Sequence, residues 1–99
     1  MKFVARKQKE NIANLARKLE YRPIEMKEGE LVCVRYLGTS GYPRFHLYMK
    51  ENKEELVFNL HLDQKRPSYP GARAHSGEYT GEVVEKEAER IKNIVEGLV

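Results

Sequence analysis

Alternating apolar and polar residues predict a β-hairpin in the second half of the chain. The apolar residues at every second position are Phe45, Leu47 and Met49 in the first strand and Leu56, Phe58, Leu60 and Leu62 in the second. A turn centred on Asn52 and Lys53 pairs these apolar positions, for example Leu47 with Phe58. The same register places His46 opposite Asn59 and Arg44 opposite His61 on the polar face.

Three further segments have recognisable patterns. Residues 30–37 are rich in β-branched and apolar residues, which favours a strand. Residues 3–20 and 81–97 have apolar residues at helical spacing, and the second stripe comprises Val84, Ala88, Ile91, Val95 and Leu98. With strands at 44–50 and 55–63, we predict an α+β fold in the order α-β-β-β-α. Its three-stranded antiparallel meander packs its leucine-rich face against the N- and C-terminal helices.

Length and composition are those of one globular domain, which we assign to residues 1–99. Of the residues, 40% are hydrophobic and 33% are charged, a balance that argues against a disordered chain. The chain contains no apolar run long enough for a membrane span, so we expect no membrane association. One cysteine, Cys33, and no signal-peptide pattern favour the cytoplasm.

Charge is distributed unevenly along this basic protein, whose net charge is +3. Residues 1–27 contain eight Lys or Arg against three Glu, whereas residues 76–99 contain three against six Glu. A basic N-terminal surface suits nucleic acid. The alternative is a solvated helix that pairs with the acidic end, and the modest net charge favours this alternative.

The segment 63–80 is a long connection without helical or strand periodicity. Structureless connections longer than about 12 to 15 residues tend to be functional or disordered. Its basic and aromatic side chains include Lys65, Arg66, Tyr69 and Arg73. Arginine binds phosphate groups and tyrosine stacks on bases, so this loop suits nucleic acid. The alternative is a solvated loop whose tyrosines pack against the domain.

A metal site is a second hypothesis for the same region. His61 and Asp63 are two residues apart on one strand, so they share a face. His75 and Glu78 return from the loop, and His46 lies nearby. Imidazole and carboxylate groups suit zinc, and three ligands (His61, Asp63 and His75) leave a position open for hydrolysis.

Asp63-Gln64-Lys65 at a strand end resembles half of the motif of PD-(D/E)xK nucleases. The resemblance implies a magnesium ligand at Asp63 and a lysine, Lys65, that stabilises the attacking water. The family has a further acid on the preceding strand, where this chain has His46 and Tyr48.

Taken together, the patterns favour a small binding module without catalytic activity of its own and without a resident cofactor. The expected partner is nucleic acid, and the alternatives are a metal-dependent hydrolase or nuclease-like enzyme and a protein-interaction module. The predicted binding residues lie on the polar sheet face and in the loop. They are Arg44, His46, Asn59, His61, Asp63, Lys65, Arg66, Tyr69, Arg73, His75 and Glu78.

Overall fold

A computed structural model describes residues 1–64, 77–78 and 81–97 of the chain. Within them, the elements are β1 (Lys2–Arg6), α1 (Ile12–Lys18), β2 (Arg22–Lys27), β3 (Glu30–Tyr36), β4 (Arg44–Glu51), β5 (Glu55–Asp63), β6 (Gly77–Glu78) and α2 (Glu82–Gly97). The strands form one antiparallel sheet in the order β1-β5-β4-β3-β2, and β6 pairs with the end of β5. The fold class is therefore α+β. In these ranges no helix has the length and apolarity needed to cross a bilayer.

The predicted meander forms the centre of this larger sheet. Strands β3, β4 and β5 lie within one residue of their expected limits, and α2 begins one residue later than expected. The expected helix over residues 3–20 is wrong at its N-terminal end, because residues 2–6 form β1. Phe3 stacks on Phe58 with ring centroids 4.9 Å apart, and Ala5 is buried. Val4, between Phe3 and Ala5, is exposed. This two-residue alternation is that of a strand and not of a helix.

The first helix is shorter than predicted because Asn11 caps it. The Asn11 side chain accepts a hydrogen bond from the Asn14 backbone N–H at 2.9 Å, which is the usual role of asparagine before a first helical turn. Helix α1 then buries Ile12, Leu15 and Ala16 against the sheet. The chain leaves the helix through Glu20, whose φ of 70° breaks the helical path.

Strand β2 was not predicted and forms one edge of the sheet. Pro23 lies in it, next to an irregularity in the pairing with β3 between Pro23 and Glu25. Edge strands and bulges tolerate proline because its missing N–H interrupts no ladder there. Ile24 and Met26 are exposed on this edge, so the strand lacks the apolar alternation that identified β4 and β5.

The register of the β4–β5 hairpin differs by two residues from the prediction. The turn is centred on Lys53 and Glu54, because the Asn52 side chain accepts hydrogen bonds from the backbone N–H groups of Glu54 and Glu55. This asparagine-based turn shifts every pair while leaving each residue on its predicted face. His46 is therefore opposite His61, not Asn59, and Arg44 is opposite Asp63, not His61.

The core lies between the apolar sheet face and the two helices. Its fully buried side chains include Leu15, Leu19, Leu47, Met49, Phe58, Leu60, Val84, Ile91 and Val95. Ile91 of α2 and Leu60 of β5 belong to this one cluster, which agrees with the prediction that the C-terminal helix packs on the leucine-rich sheet face. The other predicted contact, Leu98, lies outside the described residues.

A polar network lies at one side of this core, around the buried carboxylate of Glu87. Tyr21 donates its hydroxyl to Glu87 Oε2 at 2.6 Å, and Arg90 donates to both carboxylate oxygens at 2.8 and 2.9 Å. Arg35 adds a longer contact at 3.3 Å from β3, and Arg90 also donates to the Leu19 carbonyl at 2.7 Å. The network links α2, β3 and the end of α1. Burial and the nearby Glu87 charge raise the pKa of Tyr21, so its hydroxyl remains a donor.

Leu60→Ala tests which sheet face is the core. Leu60 is 0% exposed, and we expect its truncation to lower the free energy of unfolding by about 2 to 5 kcal/mol because it leaves a cavity. Leu37→Ala is the matched control, since Leu37 is 43% exposed. Chemical denaturation measures both. Equal losses in the two variants would contradict the assignment of the core.

Glu87→Ala tests the polar network. Glu87 is 5% exposed, and its removal leaves Arg35 and Arg90 without their shared carboxylate, so we expect a loss of about 3 to 5 kcal/mol in unfolding free energy. Glu89→Ala on the exposed side of α2 should change stability by less than about 0.5 kcal/mol. A neutral Glu87→Ala result in denaturant unfolding would show that the network does not stabilise the fold.

Candidate functional site

The sheet face opposite the helices carries polar side chains from the two central strands. Strand alternation points His46 and Tyr48 of β4 and Asn59, His61 and Asp63 of β5 to this face. The observed register sets His46 directly opposite His61. Both strands are paired on each side, so the backbone beneath these side chains is held by the sheet.

His46, His61 and Asp63 form a cluster in which the carboxylate lies against both imidazoles. His46 Nδ1 is 3.2 Å from Asp63 Oδ2, and His61 Nε2 is 3.2 Å from Asp63 Oδ1. The two rings lie with their centroids 5.0 Å apart. One carboxylate thus uses its two oxygens for two different histidines. We refer to these three residues as the His–His–Asp cluster.

Tyr48 packs beside the cluster. Its ring stacks on His46 with centroids 5.1 Å apart, and it lies 5.8 Å from the His61 ring. Aromatic packing of this kind restricts the rotation of an imidazole. The histidine rings are therefore oriented by contacts on their faces as well as by Asp63.

Arg44 provides a positive charge next to the same carboxylate. Its Nε donates to Asp63 Oδ2 at 3.3 Å, and its guanidinium lies over the Tyr42 ring, 4.6 Å from the centroid. The side chain is thus held at one edge by an acceptor and on one face by an aromatic ring. Asp63 accepts from Arg44 and faces both histidines, which makes it the centre of the arrangement.

The cluster is largely shielded from water. His61 is 9% exposed, and His46 and Asp63 are partly buried. Burial lowers the pKa of the His61 imidazole, while the Asp63 charge opposes that shift and the His46 ring adds to it. A lowered pKa favours the neutral imidazole, which is the form that binds metal ions.

The donor set and its spacing suit a divalent metal ion. One ligand atom from each of the three residues can be chosen so that all lie within 4.8 Å of one another. Ligands about 2.0 to 2.1 Å from a tetrahedral zinc ion lie roughly 3.3 Å apart, close to the two contacts made by Asp63. Small side-chain movements would therefore allow all three residues to coordinate one ion. Among the residues that the structure describes, this is the group of three or more potential ligand side chains close enough together to hold a metal ion.

An open pocket of about 360 Å³ borders the cluster on the side of β2 and β3. His46 and Tyr48 form its boundary with the cluster. The remaining lining residues are Glu25, Lys27, Glu28, Glu30 and Val32. A molecule in this pocket would therefore contact one face of His46 while remaining accessible to solvent.

The sequence predicts that His61, Asp63, His75 and Glu78 converge, with His46 nearby. His61 and Asp63 are in contact, and His46, which was expected nearby, contacts the same carboxylate. His75 lies outside the described residues, as do Lys65, Arg66, Tyr69 and Arg73. The backbone of Glu78 pairs with Leu62, next to Asp63. Asn59 is on the polar face, opposite Tyr48 and Lys2.

The one cysteine of the chain takes no part in this site. Cys33 is fully buried in the core on the other face of the sheet, where burial raises the pKa of its thiol to about 12. A thiol of this kind is a poor nucleophile and a poor metal ligand at neutral pH.

No known protein family, curated protein or solved structure matches the chain. The geometry of the polar face is therefore the basis on which a function can be proposed.

The pKa of His61 provides a direct test of this environment. In metal-free protein we expect an NMR titration of the imidazole to give a pKa below the ordinary value of 6.5, because burial disfavours the cation. The neutral ring then contributes stability above the unfolded pKa, and this contribution falls as the pH drops through the folded value. The same titration in urea supplies the unfolded reference. A native pKa above that reference would show that the Asp63 charge outweighs burial.

Proposed function

We propose that this protein binds a divalent transition-metal ion at the His–His–Asp cluster and uses it for hydrolysis. The observation that carries the proposal is the convergence of two imidazoles and one carboxylate, with ligand atoms within 4.8 Å of one another, on a rigid sheet. Histidine and aspartate side chains are among the usual protein ligands of divalent transition metals. The proposal differs from the sequence-based ligand set by including His46.

Zinc is the metal that best suits this donor set. Zinc takes nitrogen and oxygen ligands at short distances and needs no particular geometry from its d electrons. Magnesium and calcium prefer sites made of oxygen atoms, and this cluster supplies a single carboxylate. We therefore expect zinc to bind more tightly than magnesium.

Three protein ligands are the number found in catalytic zinc sites. A zinc ion held by His46, His61 and Asp63 would have one open coordination position, at which it would lower the pKa of a water molecule to about 7. The hydrogen bond from Arg44 would keep the Asp63 carboxylate oriented beside the ion. The three residues would hold the ion at the sheet surface, where it would supply the activated water needed to hydrolyse a polar substrate.

Nucleic-acid binding is the second candidate, and the distribution of charge on the same sheet face favours it. Lys2, Arg6 and Lys50 are exposed there, at positions set by the pairing of β1, β4 and β5. Such side chains attract phosphate groups through counterion release. For both candidates we propose a cytoplasmic location, where a lone thiol such as Cys33 stays reduced.

A calorimetric titration with zinc tests the metal site. We expect one ion to bind per chain, and we expect His46→Ala, His61→Ala and Asp63→Asn each to weaken binding by at least about 100-fold, more than loss of an outer-shell partner usually does. Circular dichroism establishes that each variant is folded. Cobalt titration with visible spectroscopy gives an independent measure of the ligand geometry.

Glu55→Gln is the matched control for these variants. Glu55 is an exposed carboxylate on the same strand and the same face as Asp63, so its loss should leave zinc affinity unchanged. Absence of zinc binding by the wild type would contradict the proposal. Equal losses for Glu55→Gln and Asp63→Asn would show binding by general surface charge.

A further inference from the structure

Arg44 has hydrogen-bonding capacity that the fold does not use within the described residues. Its Nε donates to Asp63, and its guanidinium face rests on Tyr42. In residues 1–64 and 81–97, neither Nη group of Arg44 is hydrogen-bonded or ion-paired to a further residue. The side chain is only partly exposed, which limits the number of directions it can take. Its two Nη groups form a donor fork at the edge of the cluster.

This fork lies close to the proposed metal position, because both adjoin Asp63. Asp63 Oδ2 is 3.3 Å from Arg44 Nε and 3.2 Å from His46 Nδ1. A metal ion held by the cluster would be a second positive group, next to the Arg44 guanidinium, beside the same carboxylate. The carboxylate neutralises part of that charge, and the remainder attracts an anion.

We propose that Arg44 and the bound metal together form a receptor for the phosphoryl group of a phosphate monoester or of free phosphate. This inference rests on the metal binding proposed above and specifies the class of ligand. The guanidinium fork donates to two oxygens of the anion, and the open metal position takes the third. Arginine forks match phosphate oxygens in this bidentate manner.

The number of binding groups favours a monoester over other anions. A monoester has three terminal oxygens, which equals the two Nη donors plus one metal position. A carboxylate has two oxygens, and a phosphodiester has two that are not bonded to carbon. Each of those anions would leave one group of the receptor unsatisfied, and an unsatisfied polar group in a partly buried site weakens binding.

The fixed orientation of Arg44 favours anion binding at this site. Because Asp63 and Tyr42 hold the guanidinium before a ligand arrives, little side-chain entropy is lost on binding. A solvent-exposed arginine would lose more of its rotamer freedom. The sheet thus presents a prepared anion site beside the metal.

Cobalt-loaded protein provides the test, because the visible absorption of cobalt responds to a change of ligand. We expect inorganic phosphate and phenyl phosphate to change the spectrum at lower concentrations than acetate or dimethyl phosphate do. Arg44→Gln should weaken the binding of both monoester-type anions by about 10- to 100-fold, the usual effect of losing a hydrogen bond to a charged group. Because Arg44 also hydrogen-bonds to Asp63, cobalt affinity is measured separately for the variant, and the anion titrations are done at saturating cobalt.

Arg22→Gln is the matched control for loss of positive charge. Arg22 is exposed on the same sheet face, two strands away from Arg44, and its replacement should leave phosphate binding unchanged. Failure of the wild type to bind cobalt would overturn the metal site itself. Cobalt binding with no phosphate response, or an equal response in Arg44→Gln, would overturn the phosphate receptor alone. Equal binding of acetate, dimethyl phosphate and phosphate would overturn the assignment to monoesters.

Discussion

The turn at Asn52 determines the alignment of the two strands on which both faces of the sheet depend. The Asn52 side chain accepts hydrogen bonds from two backbone N–H groups and so sets where β4 ends and β5 begins. A shift by one residue would turn Leu60 toward solvent and His61 toward the helices, since side chains alternate. A shift by two residues would keep both faces but would separate His46 from His61. The second shift would preserve the apolar pattern of the core face, whereas it would abolish the candidate site.

Both helices pack on one face of this sheet, which leaves the other for chemistry. Hydrophobic burial on the helix side stabilises the strands, so the polar side need not contribute an apolar core. This division allows His61 and Asp63 to occupy a shielded but polar position. Their positions are fixed because β5 is hydrogen-bonded to a neighbouring strand on each side, which makes the sheet rigid there.

Sequence patterns predicted the elements whose alternation or helical stripe was strong. Strand β5 and helix α2 are of this kind. Strand β2 lacked a signal because Ile24 and Met26 are exposed on an edge that buries little, and β1 is too short for its alternation to outweigh nearby helix-forming residues. The cluster was predicted in part, since His61 and Asp63 share a strand. Contact with His46 depends on a register that hydrophobic pattern alone leaves uncertain by two residues.

The carboxylate network around Glu87 has a consequence for the order in which the molecule can be completed. Glu87 lies in α2, the last described element of the chain, whereas its partners Tyr21 and Arg35 are made much earlier. During synthesis the Tyr21 hydroxyl must remain hydrated, because a phenol without its acceptor is unfavourable in a dry core. Arrival of α2 supplies the acceptor and the apolar stripe together. While α2 is still inside the ribosomal exit tunnel, the sheet is therefore expected to be only partly ordered. Folding is then completed when α2 leaves the tunnel and packs on the sheet.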